Sequence, residues 1–444
     1  MTTHVFHRAL KSALPYVAGG DGITLRDAEG RTYIDACGGA AVSCLGHGHP
    51  AVLEAMAAQA KQAAYIHTSF FTTEAAEKLA ARVAENCGGD LNHVYFVDSG
   101  SEATETALKM ARQYWLERGQ PQRTKVISRH FSYHGNTLGA LSVSGNRWRR
   151  EPYAPLLADA SFIEPCFFYR HAGPGETPEA YGARAAAALE KQLVELGPET
   201  VMAFIAETVV GATTGAVAPA PGYLKRIREI CDRHGVLLIL DEVMCGAGRT
   251  GTFLAAHAEG VAADIVTLAK GLGGGYQAIA AVICSDKVYE GFYNGSGLFQ
   301  HGLTYSAHPV ACAASLAVQE VILRDDLLAN VRARGEDLNR ALHGRFGNNH
   351  NVGDIRGRGL IQAIELVRDR AEKSPFDPAL KLNQRIRTEA FARGLMVYPG
   401  AGCVDGRAGD HILLAPPYIV TTSDIEEIVS RLGEAVDAAL AAVN

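Results

Sequence analysis

None of the nine cysteines stands in a CxxC pair; they are scattered at positions 37, 44, 87, 166, 231, 245, 284, 312 and 403. That spacing speaks against a zinc ribbon and against a secreted disulfide framework. No uninterrupted apolar run approaches the roughly 20 residues that cross a bilayer. The opening Met1-Thr-Thr-His-Val-Phe-His-Arg8 lacks the apolar stretch of a signal peptide. There are no repeats and no low-complexity tract. The formal charge is only −6, so no basic excess points to nucleic acid. The one short basic cluster, Arg147-Trp-Arg-Arg150, reads as surface or as the rim of an active site. These absences lead to the expectation of a cytoplasmic protein with neither a nucleic-acid nor a membrane partner.

Several catalytic signatures are missing too. Asp98-Ser-Gly-Ser-Glu-Ala103 lacks the G-x-x-x-x-G-K-[ST] spacing of a Walker loop, and Gly271-Leu-Gly-Gly-Gly275 does not complete the G-x-G-x-x-G of a nicotinamide oxidoreductase. Ser144, in Val143-Ser-Gly145, has no G-x-S-x-G elbow. His47-Gly-His49 offers two imidazoles without a third ligand at a metal-site spacing, so no metal is expected.

What the 444 residues do contain is a large apolar fraction, 48%, enough for roughly two or three domains. Residues 23–35 read as a hairpin, and helices follow from Ala51 and over 73–87. Short apolar strands at 94–97, 125–128, 201–205, 236–240, 265–269 and 280–284 then alternate with helices at 101–118, 180–196, 222–234 and 308–323. Such alternation predicts an α/β sheet covered on both faces. Beyond about 325 the pattern turns α+β: helices over 325–346 and 378–393, a turn and a strand within 353–366, strands near 395–398 and 411–414, and a last helix from Ser423. The expected division is 1–60, contributing to a smaller domain, 61–325, a large domain, and 326–444, the rest of the smaller domain. Residues 146–180, with Pro155, Pro165, Pro174 and Pro178, read as an irregular loop over the site.

The chemistry concentrates at two strand ends. Val236-Leu-Leu-Ile-Leu240 runs into Asp241, and Ile265-Val-Thr-Leu-Ala269 runs into Lys270 and the glycines after it. Parallel strands are apolar on both faces, and their carboxyl ends open onto the ligand crevice. A primary amine there can condense with an aldehyde and carry protons; alternatively it snorkels or binds phosphate. An ionised carboxylate there can keep a pyridine nitrogen protonated; magnesium binding and a structural turn are its rivals. Together they predict a pyridoxal phosphate site. Gly100 and Ser101, at a helix start, are candidates for the phosphate, with a plain helix cap as the alternative. Tyr133, in Tyr133-His134-Gly135, can stack on a planar cofactor, and Val243 can press on a ring face or simply fill core. Glu207 is either a second pocket acid or a satisfied buried carboxylate, while Glu242 is expected to be structural.

In order along the chain, Gly22-Ile-Thr-Leu-Arg-Asp-Ala-Glu-Gly-Arg-Thr-Tyr-Ile-Asp35, Gly46-His-Gly-His-Pro50, Ser99-Gly-Ser-Glu-Ala103, Tyr133-His-Gly135, Asp241-Glu-Val-Met-Cys-Gly-Ala-Gly-Arg-Thr-Gly251, Ala269-Lys-Gly-Leu272, Gly302-Leu-Thr-Tyr305 and Ala415-Pro-Pro417 resemble the class III, or ω-, aminotransferases among the fold type I pyridoxal phosphate enzymes. The resemblance implies a mixed, mostly parallel seven-stranded sheet with helices on both faces, plus a smaller α+β domain. It implies a ping-pong transaminase moving an amino group from an amine or amino acid to pyruvate or α-ketoglutarate. Lys270 would form the Schiff base and Asp241 would partner the pyridine nitrogen. Tyr133, His134, Val243 and Glu207 would surround the cofactor, with Gly100 and Ser101 on its phosphate. Thr304 would reach the phosphate of a neighbouring subunit, in a homodimer or tetramer with the active site at the dimer interface. Arg407, before the Pro-Pro segment, is the candidate for a substrate carboxylate, with a surface ion pair as its alternative; Trp148 is a candidate for the amine pocket or for interface packing. A decarboxylase, aminomutase or racemase on the same scaffold, and a non-enzymatic binding protein, stay open on these residues.

Overall fold

The computed structural model describes residues 4–443. Residues 1–3, the start of the stretch read as lacking a signal peptide, and residue 444, the end of the last expected segment, lie outside it. Regular structure begins with an antiparallel meander, β1 (Val17–Asp21), β2 (Thr24–Asp27) and β3 (Thr32–Asp35). Asp27 closes the second turn: its Oδ1 accepts from the backbone N–H groups of Glu29 and Arg31, both at 2.9 Å. Helices α1 (Pro50–Gln62) and α2 (Glu74–Cys87) follow. The first opens on a proline and the second on a Thr73 cap, both suited to a helix start.

The central sheet is built from β4 (His93–Val97), β5 (Lys125–Arg129), β6 (Ser161–Ile163), β7 (Val201–Glu207), β8 (Leu237–Asp241), β9 (Ile265–Leu268) and β10 (Ala280–Cys284). Their spatial order is β4-β10-β9-β8-β7-β5-β6, and β10 alone runs against the others. Helices α3 (Gly100–Glu117), α4 (Pro178–Leu196) and α5 (Tyr223–His234) cover it. Strands β7 to β10 are buried at every position, so both faces must be roofed. Alternation divides the load. Leu237 and Ile239 join Ala103, Ala107 and Met110 of α3, while Leu238 and Leu240 join Leu189 and Leu193 of α4 and Leu224 and Ile227 of α5. The same period places Asp241 on the α3 side and Glu242 on the other.

Helix α6 (Pro309–Arg324) packs its start, Ala311 and Cys312, into the central core. Its later residues, Val318 to Ile322, enter a second core. That core is shared by Ala36, Leu45 and Val52 with α7 (Leu327–Phe346), β11 (Val352–Arg358), β12 (Ile361–Leu366), α8 (Leu382–Ala392), β13 (Leu395–Met396), β15 (Asp410–Leu414) and α9 (Thr422–Ala441), while Tyr398 of β14 (Tyr398–Ala401) packs against a small cluster with Ile361, Ala363 and Leu413. Strand β13 pairs in parallel with β3, so the carboxyl-terminal chain completes the amino-terminal sheet. The other four strands form an antiparallel sheet, β11-β12-β15-β14. Among the described residues no helix is long and apolar enough to cross a membrane.

Three details differ from the sequence expectation. The stretch 146–180, read as a loop, contains β6, which pairs in parallel with β5 as the outer strand. Three residues are too few to show a period. The stretch 353–366 holds two strands, β11 and β12, joined through Gly359 at φ +55°. Strand β1, rich in glycine, is a third element that its composition hides.

Arg249 ties the two cores together. It is 1% exposed, and its guanidinium donates to the carbonyls of Leu360, Pro416 and Ser43 while stacking 4.6 Å from the centre of the Tyr418 ring. The geometry of a planar fork, not charge alone, satisfies carbonyls of three separate chain segments.

Asp410 carries a cost. It is 4% exposed, among the described residues its side chain accepts only the Asn383 backbone N–H, at 3.3 Å, and burial pushes its carboxyl up to about 6. The folded chain therefore holds this proton more tightly than the unfolded chain. Stability from this group is present below the ordinary carboxylate range and is lost as pH rises through about 6. Asp410→Asn should raise stability at pH 8, by at most about 3 kcal/mol, with the gain vanishing near pH 4. Denaturant melts of both proteins at the two pH values check this.

Candidate active site

Strands β8 and β9 lie side by side with Asp241 opposite Thr267, and Lys270 follows three residues later. The chain turns sharply there. Lys270 has φ +45°, a left-handed conformation that costs free energy in a residue with a Cβ. The turn is held by the Gly273 and Gly274 N–H groups, which donate to the Lys270 carbonyl at 3.2 and 2.9 Å. The Lys270 amine faces a cavity of ≈370 Å³ and makes no hydrogen bond among the described residues. Burial, opposed by the Asp241 and Glu207 carboxylates, brings it down to about 8.

Asp241 lines the same cavity. Its Oδ1 accepts from the Val243 N–H at 3.0 Å, and its Oδ2 lies 2.7 Å from His134 Nδ1. Since a carboxylate only accepts, that ring nitrogen carries the hydrogen. His134 is held in turn: its backbone N–H donates to Ser144 Oγ at 2.8 Å, its carbonyl accepts from Thr104 Oγ1 at 2.7 Å, and its Nε2 lies 3.3 Å from Ser128 Oγ. Ser144 thus serves as scaffold for this histidine. His134, expected around the cofactor, lines the cavity beside Asp241 and fixes its orientation.

Glu207 lines the cavity as a second acid and is also satisfied, its oxygens accepting from the Tyr133 and Gly211 N–H groups, both at 2.9 Å. It therefore positions Tyr133, and burial raises its own pKa. Glu242, on the opposite side of the strand, accepts from Thr208 Oγ1 and from the Ala255 and Ala256 N–H groups, as a structural residue should.

Tyr133, Val243, Gly100 and Ser101 complete the cavity wall from separate elements. A Cβ on Gly100 would lie 2.9 Å from Val243 Cγ1, and one on Gly135 would lie 2.7 Å from Ser101 Oγ. The wall at the amino terminus of α3 is thus pared down to backbone, leaving N–H groups open to an anion. An aldehyde-reactive amine, a buried carboxylate, an aromatic ring and an anion cradle around one cavity fit pyridoxal phosphate.

The other candidates lie elsewhere. Thr304 is exposed, its carbonyl accepting from Tyr65 Oη at 3.1 Å. Trp148 is half exposed beside the cavity. Arg407 lies outside it, 72% exposed and paired with Glu151 at 3.1 Å. Arg8, Arg149 and Tyr398 line the cavity without having been singled out. Only the aromatic-flanked cluster at 147–150 had hinted at one of them.

Comparison with known proteins agrees with this geometry. Residues 7–436 match the family model for class-III aminotransferases. The chain is 44% identical over 441 residues to an uncharacterized aminotransferase of Schizosaccharomyces pombe, covering 99% of this chain and 96% of that one. It is 36% identical to the diaminobutyrate–2-oxoglutarate transaminase of Halomonas elongata (95% and 90% covered) and 32% identical to the putrescine–pyruvate aminotransferase of Pseudomonas aeruginosa (95% and 90%). A PLP-bound amine transaminase from an uncultivated Pseudomonas species superposes with a TM-score of 0.91 at 36% identity, over 99% of each chain.

With the Lys270 amine near 8, about a quarter of it is free base at pH 7.5, against about a thousandth for an ordinary lysine. The rate at which apoenzyme recaptures pyridoxal phosphate should therefore rise with a midpoint near pH 8 and level off above it. Stopped-flow absorbance across pH 6.5–10 reads this, and a rise continuing unabated to pH 10 would contradict it.

Proposed function

This chain belongs to the class III aminotransferases and is a pyridoxal phosphate-dependent transaminase, and from that premise we propose how its own residues divide the work and which acceptors it uses. The observation that carries the reading is that Lys270 and Asp241 open on one cavity. When bound, the cofactor supplies an electrophilic aldehyde and a ring that withdraws electrons from the substrate's α-carbon.

Lys270 would hold the cofactor through its amine and, once released by a donor, would carry the proton taken from the substrate α-carbon. Its low proton affinity suits that role, because a base working near neutral pH must be free to accept. Asp241, held in place by His134 and the Val243 N–H, would partner the ring nitrogen. Tyr133 and Val243 flank the ring, and Gly100 and Ser101 bind the phosphate at the α3 terminus. The cycle is ping-pong, with a keto acid, pyruvate or α-ketoglutarate, taking the amino group in the second half. The relatives named for these two acceptors support both.

Three coarser features belong to the same proposal. Residues 1–60 and 326–444 form one smaller domain beside 61–325, as their shared core and the β3–β13 pairing suggest. The enzyme is a homodimer or tetramer in which Thr304 reaches a neighbour's phosphate; exposed Phe70, Phe71 and Tyr305 support a covered face there. Its location is cytoplasmic.

Lys270→Ala should lower alanine production from pyruvate and an amine donor by about a thousandfold or more, with loss of the visible absorption of the bound cofactor. Turnover at the unmodified rate in that variant would end the assignment.

A further inference from the structure

The turn Arg147–Arg150 holds three arginines with three different fates. Arg147 is exposed. Arg150 commits one guanidinium nitrogen to the carbonyls of Leu141, Ser142 and Ser144, at 2.7, 2.5 and 3.1 Å. Arg149 instead lines the cavity that holds Lys270. Its guanidinium lies 4.8 Å from the centre of the Tyr133 ring and 5.1 Å from that of Trp148. Its Nε is buried without a hydrogen-bond partner, and no ion pair among the described residues involves it.

The other charges of the cavity are spoken for. Glu207 and Asp241 each accept from the donors described above. The cofactor's phosphate has its cradle at Gly100 and Ser101, and its ring nitrogen has Asp241. Contact with two aromatic rings orients the planar guanidinium fork without neutralising it. The anion still missing is one that arrives with the substrate.

We propose that Arg149 binds the carboxylate of amino-acid and keto-acid substrates, the role that the sequence had suggested for Arg407; this rests on the transaminase reading of the cavity. Arg407 is held away by Glu151, at 3.1 and 3.2 Å from its two oxygens. A Cβ on neighbouring Gly406 would lie 3.5 Å from the Arg147 Cβ, so the 402–409 loop braces the turn that presents Arg149. Trp148 gains a role as the second ring against that guanidinium. Arg8 also lines the cavity, but it comes from the exposed amino-terminal segment with no ring stacked on it.

The test compares holoenzyme of wild type and Arg149→Met in the donor half-reaction, followed by the visible spectrum of the bound cofactor. Donors are paired so that they differ only by a carboxylate: alanine with ethylamine, and 4-aminobutanoate with propylamine. The preference for the carboxylate member, as a ratio of kcat/KM values, should fall by about tenfold or more in Arg149→Met. Arg149→Lys should keep part of it. A smaller fall in a variant that melts with wild type overturns the assignment. So does weakened cofactor retention with the preference unchanged, which would place Arg149 on the phosphate. If Arg149→Met does not fold, Arg149→Gln is judged by the same threshold. Wild type showing no spectral conversion with any donor would fail the transaminase reading itself, a result distinct from these.

Discussion

The parallel register of β8 against β9 is the constraint on which the site depends. It sets Asp241 across from Thr267 and brings Lys270, three residues on, to the same end of the sheet. Side chains alternate along a strand, so a slip of one residue would carry Asp241 to the α4–α5 side, where Glu242 now takes up the Ala255 and Ala256 N–H groups. The register is held by what surrounds it. Leu237 and Ile239 face α3, and Leu238 and Leu240 face α4 and α5, all of them buried. Filling both cores at once leaves a single alignment in which no large apolar residue is exposed.

Electrostatics then exploits that placement. A carboxylate and an amine in a buried cavity would each be penalised by lost hydration. Asp241 is compensated by a backbone N–H and by His134, itself locked through Ser144, Thr104 and Ser128. Lys270 has no such partner, and burial lowers its hold on its proton. One group is partnered and the other is left without a hydrogen bond among the described residues, its hold on a proton loosened by burial. Strain points the same way, since the left-handed backbone at Lys270 is the kind of local cost that a surrounding fold sustains at a working residue.

Much of this was legible in the residues. The apolar runs before Asp241 and Lys270 are long enough, and uniform enough, to be read as doubly covered strands. Their ends therefore announced a crevice. Helices α1 to α9 announced themselves by period and cap, for instance the Thr421–Asp424 capping box at the start of α9. What stayed hidden had no local signal. Three-residue β6 has no period to detect, and glycine-rich β1 has no strand propensity. The contact of His134 with Asp241 likewise spans 107 residues of sequence. Arg407 attracted attention by its position before Pro416 and Pro417, whereas the loop around it packs on Arg147 and Glu151 and faces away from the cavity.

The sequence alone therefore determined the strand-and-helix order, the identity of the amine and the acid, and the family to which they belong, because each of these rests on short stretches whose chemistry is local. Only the tertiary structure decided which charges answer one another: Asp241 with His134, Arg407 with Glu151, Arg249 with three carbonyls, and Arg149 with no ion pair among the described residues. Those pairings depend on distances between segments far apart in the chain. Such distances are set when two cores pack against each other, and no local pattern encodes them.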